Sequence, residues 1–178
     1  TFGATSQYGY WKIGDTSNPG TRLSQSPLRS PSVFNFFRPG YVPPSTALAA
    51  ARQVAPEFQL VNESSVGGYL NYMQGVIRNG IYANAPDVPQ NASNTNNGYD
   101  IRTTYPNEMA IVTDADALLA RINLLMSAGQ LSAATVKLVA DALKATAVTA
   151  ASTEAVKLNR IAAAILLVMA SAEYLIQK

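Results

Sequence analysis

The sequence predicts a mainly α-helical protein, in which a C-terminal helical bundle carries a long irregular N-terminal strap rich in proline and aromatic residues. Two observations predict this fold class. Through the last third of the chain, apolar residues recur at helical spacing behind residues that favour helix starts. Residues 1–44 instead combine Pro, Gly, Ser and Asn at a density typical of turns. The 178 residues are predicted to form a single domain.

Four helices are predicted in the bundle, which spans residues 108–178. Thr113 is the expected N-cap of the first, Ser132 of the second and Ser152 of the third, and a short final helix is expected from Ser171. The third helix ends in "IAAAILLVMA", which is apolar on all sides. It is therefore predicted to be the central, buried helix.

Two further helices are predicted within residues 45–82. The first, "TALAAARQVA", is expected to end before Pro56. The second lies in "SSVGGYLNYMQGVIRNG", with Ser64 or Ser65 as its N-cap. Residues 83–107 are rich in Asn and turn signals and are predicted to form one long loop. A short strand is possible at "YGYWKIG".

The absence of Cys and His excludes several kinds of site within this chain. Disulfides, zinc sites of the usual type, haem ligation, Cys nucleophiles and Ser-His-Asp triads all require one of these residues. The acidic residues lack the dense, fixed spacing of a calcium loop, so neither a metal nor a cofactor is predicted; those considered were Asp87, Asp100, Asp114 and Asp116.

The charge and the hydropathy of the chain limit the kinds of partner that the sequence predicts. The formal net charge is +2 and the basic residues are scattered, so nucleic acid is not a predicted partner. The longest apolar run is too short to cross a bilayer as a helix, so no membrane span is predicted.

The segment "SPSVFNFFRPGYVPP" is the densest cluster of candidate functional residues. Its side chains either pack as anchors of the strap or stack on a ligand, and the first interpretation is preferred because large aromatic residues stabilise most when buried. Arg38 is expected to hydrogen-bond backbone carbonyls or to pair with a carboxylate, although it also suits an anionic ligand. The aromatic candidates are Phe34, Phe36, Phe37 and Tyr41.

Two weaker hypotheses concern chemistry and sugar binding. Glu57 and Glu63 are six positions apart and form a weak candidate for a catalytic carboxylate pair, of the kind that hydrolyses glycosides. Glu57, between Pro56 and Phe58, is expected to be partly buried. Carbohydrate binding is the other hypothesis, through the aromatic residues Trp11, Tyr8 and Tyr10.

Three motifs resemble the C-terminal part of the bacterial domain of unknown function 1800 family. They are "LSQSPLRSPSVFNFFRPGYVPP", "APEFQLVNE" and "NRIAAAILLVMASAEYLIQK". The resemblance runs from about Trp11 to Lys178, and the sequence departs from the family pattern at Ala172, where Pro is expected. It implies a bacterial, extracytoplasmic protein, which is periplasmic, secreted or on the cell surface, and a longer precursor whose N-terminal region precedes this chain.

The resemblance supplies no reaction and no catalytic residue. The expected function is therefore a structural or interaction module that serves scaffolding, assembly or binding. Its expected partner is the N-terminal region of its own precursor or copies of itself. In the alternative, the chain is the non-catalytic portion of an extracytoplasmic hydrolase whose active-site residues lie in that N-terminal region.

Overall fold

The computed structural model describes residues 2–83 and 98–175. Within them the fold is mainly α-helical, as predicted, with seven helices and one small antiparallel sheet. The elements in chain order are β1 (Ala4–Ser6), α1 (Ala47–Ala50), a 3-10 helix (Pro56–Gln59), α2 (Glu63–Asn79), β2 (Ile81–Ala83), β3 (Gly98–Thr103), α3 (Pro106–Ile111), α4 (Ala115–Ser127), α5 (Ala133–Lys144), α6 (Glu154–Met169) and α7 (Ala172–Leu175).

The chain divides into two compact units. The bundle unit comprises Thr1–Lys12 together with Gln74–Lys178, and the loop unit comprises Ile13–Met73. Helix α2 begins in the loop unit and ends in the bundle unit. No helix among the described residues combines the length and the apolar character needed to span a bilayer.

The core of the bundle unit lies between α4, α5 and α6. Helix α6 contacts α3, α4, α5 and α7, so the prediction of a central, buried helix is confirmed. Each large apolar side chain removed from water here stabilises the fold by roughly 1.5–3 kcal/mol. The most deeply buried side chains of this core are Leu118, Leu119, Ile122, Ile161 and Val168.

Helix starts in the bundle follow N-cap chemistry, with two corrections to the predicted residues. Ser132 caps α5 as predicted, because its hydroxyl accepts from the Thr135 backbone N–H at 3.2 Å. The predictions for α4 and α6 were wrong by one residue. Asp114 caps α4 and Thr153 caps α6, since each places a side-chain oxygen within reach of the free N–H groups of the first turn.

The two helices predicted in residues 45–82 differ from expectation in length. Helix α1 ends at Ala50, because Arg52 adopts a left-handed conformation and the Gln53 N–H bonds back to the Leu48 carbonyl. Helix α2 begins at Glu63, before either predicted cap. The side chains of Asn62 and Ser65 bond to each other's backbone N–H, at 3.0 and 2.8 Å, and so fix this start.

The predicted loop over residues 83–107 was wrong for its second half. Strand β3 pairs antiparallel with both β1 and β2, and α3 begins at Pro106. The Tyr82 and Tyr99 rings meet edge to face across β2 and β3, with centroids 5.3 Å apart. Residues 84–97, which include Asp87, lie outside the described part. The N-terminal strand lies at Ala4–Ser6 and not at "YGYWKIG".

Asp100 explains why the chain leaves the sheet after β1. Its carboxylate, 1% exposed, accepts hydrogen bonds from the Ser6 hydroxyl at 2.6 Å and from the backbone N–H groups of Tyr8 and Trp11 at 2.7 and 3.1 Å. Burial alone would raise the pKa of Asp100, but these bonds outweigh it and hold the pKa below its ordinary value. Residues 6–11 therefore curl around one anion instead of extending the strand.

We predict that Asp100→Asn destabilises the protein by about 3 kcal/mol, because the amide presents a donor to backbone donors and loses the charge that strengthens these bonds. Urea unfolding followed by circular dichroism measures the change. Asp141→Asn, at an exposed carboxylate paired with Lys137, is the matched control and should leave the midpoint nearly unchanged. Equal midpoints for both variants would contradict the role given to Asp100.

Glu173 on α7 caps the first turn of α5 from outside that helix. Its carboxylate accepts from the Ser132 N–H at 3.1 Å and from the Thr135 hydroxyl at 2.7 Å. The hydrogen bonds from Ser132 and Thr135 lower the pKa of Glu173 from 4.5 to about 2. The carboxylate is thus stabilised in the folded protein relative to the unfolded chain.

A depressed carboxyl pKa contributes stability above its unfolded value, and this stability is lost as the pH falls through the folded value. For Glu173 the window runs from pH 4.5 down to about 2. We predict that Glu173→Gln is less stable than the wild type near neutral pH and that the difference closes across this window. Thr135→Val removes one of the hydrogen-bond donors to Glu173, so its stability should lie between those of the wild type and Glu173→Gln. Thermal unfolding at a series of pH values tests this, and a constant difference at every pH would refute it.

Candidate functional site

The bundle unit contains an open cleft of about 430 Å³ between the start of α4 and the end of α5. Because several charged side chains line it, it is a candidate place for chemistry. Its charged lining residues are Asp114, Asp116, Lys144 and Arg160, and its other lining residues include Thr113 and Val148.

The exposed charged side chains of this cleft are already ion-paired with each other or hydrogen-bonded to the backbone. Asp116 and Lys144 form an ion pair at 2.7 Å, and the hydrogen bond to Asp116 raises the pKa of Lys144. The Asp114 carboxylate accepts from the N–H groups of Asp116 and Ala117, both at 3.0 Å, and so caps α4. Both aspartates are therefore engaged in contacts within the bundle unit.

Arg160 lines the cleft and is buried, and it forms no ion pair with a carboxylate of the described residues. One terminal nitrogen donates to the carbonyls of Val112 and Thr113, at 3.2 and 3.4 Å. The other donates to the carbonyls of Leu143, at 3.1 Å, and Thr146. These carbonyls lie at the ends of α3 and α5, where the helix dipole is negative and stabilises a cation. Only Nε lacks a hydrogen-bond partner among the described residues.

A buried carboxylate in the bundle unit forms an ion pair outside the cleft lining. The Glu108 side chain is fully buried, and its Oε1 accepts from Arg121 Nε at 2.6 Å. Its Oε2 has no hydrogen-bond partner in the part of the chain that is described. Sequence reasoning missed this pair, because thirteen positions separate its members and neither belongs to a motif. No three acidic side chains in the described ranges gather closely enough to hold a metal ion.

The proposed carboxylate pair lies in the loop unit, and neither residue is among those that line the cleft. Glu57 is in the first turn of the 3-10 helix and Glu63 is the first residue of α2. Both are exposed, so the expectation that Glu57 is partly buried was wrong. The short turn directs its apolar neighbour Phe58 to solvent as well, which leaves nothing to cover Glu57.

The aromatic segment does not pack as the sequence suggested. Phe34 is 63% exposed, while Phe36, Phe37 and Tyr41 are half-buried. Arg38 is exposed. Its backbone N–H donates a hydrogen bond to the Gln59 side chain at 2.8 Å. The expected pairing of its guanidinium with a carboxylate is not among the ion pairs of the described residues.

Trp11 lies in the bundle unit with the two tyrosines that the sequence grouped with it. Its ring is 57% exposed, and its backbone is fixed by Asp100. The Tyr8 and Tyr10 rings lie 6.3 Å apart at an angle of 40°. The three residues are therefore brought together, but the two tyrosine rings do not form a flat stacking platform.

The loop unit buries only small residues. Its buried positions are Thr16, Ser26, Pro43, Ala55, Ser65 and Gly68. None of its Leu, Ile, Val, Met, Phe or Tyr residues is buried. Many of them are instead well exposed: Ile13, Leu28, Val33, Phe34, Val54, Phe58, Val61 and Val66. The loop unit is therefore held by turns and backbone contacts, such as the approach of Pro19 and Gly20 to Gly68, rather than by an apolar core.

A comparison of the sequence with protein families finds one match. The model of a family described as "Protein of unknown function (DUF1800)" covers residues 6–176, which is nearly the whole chain. No curated protein and no solved structure matches the sequence.

We predict that Arg160→Met destabilises the protein by about 3 kcal/mol, because it leaves several buried helix-end carbonyls without a donor. Lys144→Met, on the other wall of the cleft, is the control and should leave stability nearly unchanged. Denaturant unfolding with matched slopes decides between them. If both variants unfold at the wild-type midpoint, Arg160 does not hold the helix ends.

Proposed function

The chain belongs to the family of proteins of unknown function described as DUF1800, and from that premise we propose that it is a structural and interaction module whose loop unit binds a protein surface. The single observation that carries the proposal is the absence of large buried apolar side chains in the loop unit, together with their exposure. Ordering the backbone costs roughly 1–2 kcal/mol per residue, and apolar burial is the main term that offsets it.

The exposed side chains include two phenylalanines, Phe34 and Phe58, of the aromatic kind that is enriched at protein interfaces. Covering a Val, Leu, Ile or Phe side chain contributes roughly 1.5–3 kcal/mol. A partner that covered four or five of those in the loop unit would supply a large part of the missing stabilisation. Exposed apolar surface beyond scattered single residues is typical of binding sites.

The partner we propose is the N-terminal region of the chain's own precursor, and the site of action is outside the cytoplasm of a bacterium. We choose this partner because the loop unit lacks an apolar core of its own. A region of the same polypeptide would always be present when the loop unit folds. A second copy of the chain is the alternative partner. The hydrolase hypothesis gains no comparable support, because Glu57 and Glu63 are exposed and the charges of the cleft are already engaged.

The test uses hydrogen exchange on the chain alone and on the precursor. The proposal expects the loop unit to exchange faster than the bundle unit in the isolated chain, and to become protected in the precursor. Light scattering of the isolated chain distinguishes the two partners, because a concentration-dependent dimer with a protected loop unit would indicate a second copy.

A matched pair of variants locates the surface. Phe58→Ser combined with Val61→Ser should abolish the protection of the loop unit in the precursor. Leu124→Ser combined with Leu138→Ser changes two exposed leucines of the bundle unit and should not. Equal protection of the loop unit in the isolated chain and in the precursor, with the chain monomeric, would overturn the proposed function.

A further inference from the structure

Helix α2 is one continuous helix whose two halves belong to different units of the chain. Its residues up to Met73 are part of the loop unit, and those from Gln74 onward are part of the bundle unit. The buried residues of the helix are Ser65, Gly68 and Ile77, and none of residues 69–76 is buried. The middle of α2 is therefore the part that tertiary packing fixes least.

The N-terminal half of α2 is fixed by contacts within the loop unit. Gly68 lies against the backbone of Pro19 and Gly20, and a Cβ at Gly68 would stand 2.5 Å from the Pro19 carbonyl oxygen. The Arg22 guanidinium lies over the Tyr72 ring, 5.8 Å from its centroid. These contacts and the capping of the first turn hold this half in the loop unit.

The C-terminal half of α2 is fixed by contacts within the bundle unit. Ile77 is buried, and its carbonyl accepts a hydrogen bond from the Tyr105 hydroxyl at 2.8 Å. Gly80 follows the helix with a φ of 94°, and a Cβ there would collide with the Ile101 carbonyl oxygen. The last turn of α2 is thus held in the bundle unit by its own set of contacts.

Gly75 lies at the junction of the two halves, where neither packing nor conformation requires glycine. It is inside α2 and its φ is not positive, so its backbone conformation is one that any residue adopts in a helix. A Cβ at Gly75 would meet no atom within 4 Å, in contrast to one at Gly68. Glycine weakens a helix interior relative to alanine, because its backbone loses the most freedom on folding. Gly75 is therefore a weak point in the least fixed part of α2.

We propose that α2 is a hinge that bends at Gly75, so that the residues on either side turn without giving up the contacts that hold each half in its own unit. Hinges consist of a few residues, often small, that absorb a change of φ and ψ while the segments they join stay intact. Gly75 fits this description, because it has no side chain and its neighbours Gln74 and Val76 are not buried. The inference concerns one helix and does not rest on the proposed function.

Spin-label distance measurements on the whole chain test the hinge, and the absence of Cys makes the labelling specific. Leu138→Cys, at an exposed position of α5, carries one nitroxide label in every sample. The second label is placed at Glu63→Cys, before the hinge, or at Asn79→Cys, after it, and both positions are exposed. Pulsed electron paramagnetic resonance should give a narrow distance distribution for the 79–138 pair. The 63–138 pair should give a broad distribution with more than one population.

Gly75→Ala is the test variant and Gly67→Ala is its matched control. Both glycines lie in α2, and a Cβ at either one would meet no atom within 4 Å. Both variants should therefore fold and gain the same helix propensity. Gly67 lies within the half that the loop unit holds, so Gly67→Ala should leave the broad 63–138 distribution unchanged. Gly75→Ala should narrow that distribution to a single population.

Three outcomes would overturn the inference. Equally narrow distributions for the two label pairs in the wild type would show that α2 does not bend. A broad 63–138 distribution that survives Gly75→Ala would place the bend at another residue. Equal narrowing by Gly75→Ala and Gly67→Ala would assign the motion to general weakness of the helix instead of a hinge. None of these outcomes changes the hydrogen-exchange test of the loop unit, so the two proposals fail separately.

Discussion

The hydrogen bonds from Arg160 to four backbone carbonyls hold the corner between α3 and α4, and the end of α5, against α6. A buried cation without a carboxylate partner loses its hydration at a cost of several kcal/mol. Here the negative ends of two helices replace the water, because their last carbonyls have no partner within the helix. This guanidinium therefore adds a polar anchor to the apolar packing of α6 in the core. The charged cleft above it is therefore a consequence of how the helices are joined.

The same principle recurs elsewhere in the bundle unit. The Asp100 carboxylate accepts hydrogen bonds from residues 6–11, and the Glu173 carboxylate accepts them from residues at the start of α5. Only 13% of the residues are charged, and several of the carboxylates and guanidinium groups in this unit bind backbone atoms. These charged groups therefore stabilise the helix ends and loops of the bundle unit.

Local patterns made much of the bundle predictable. The helix start at Ser132 and the buried helix α6 are each encoded by residues that lie close together in the sequence. Capping chemistry identifies the first and apolar periodicity the second. Strand β3 and the Glu108–Arg121 pair depend on residues far away in sequence, and no local pattern encodes them. The early end of α1 depends on the left-handed conformation of Arg52, for which its residue type gives no signal. The aromatic segment around Phe34 predicts burial, but Phe34 is exposed, because composition does not reveal whether a neighbouring surface is available to cover it.

The two units of the chain differ in how far they bury their large apolar side chains. Water penalises exposed aromatic and aliphatic side chains wherever they lie, so the expectation that Phe34 and its neighbours are buried is sound physics. The loop unit does not meet the expectation internally, since it buries only small residues. The bundle unit shows that this chain builds a dense apolar core where its helices allow one. The exposed side chains of Leu28, Val33 and Phe34 therefore show that the loop unit, unlike the bundle unit, does not cover its large apolar residues with its own chain.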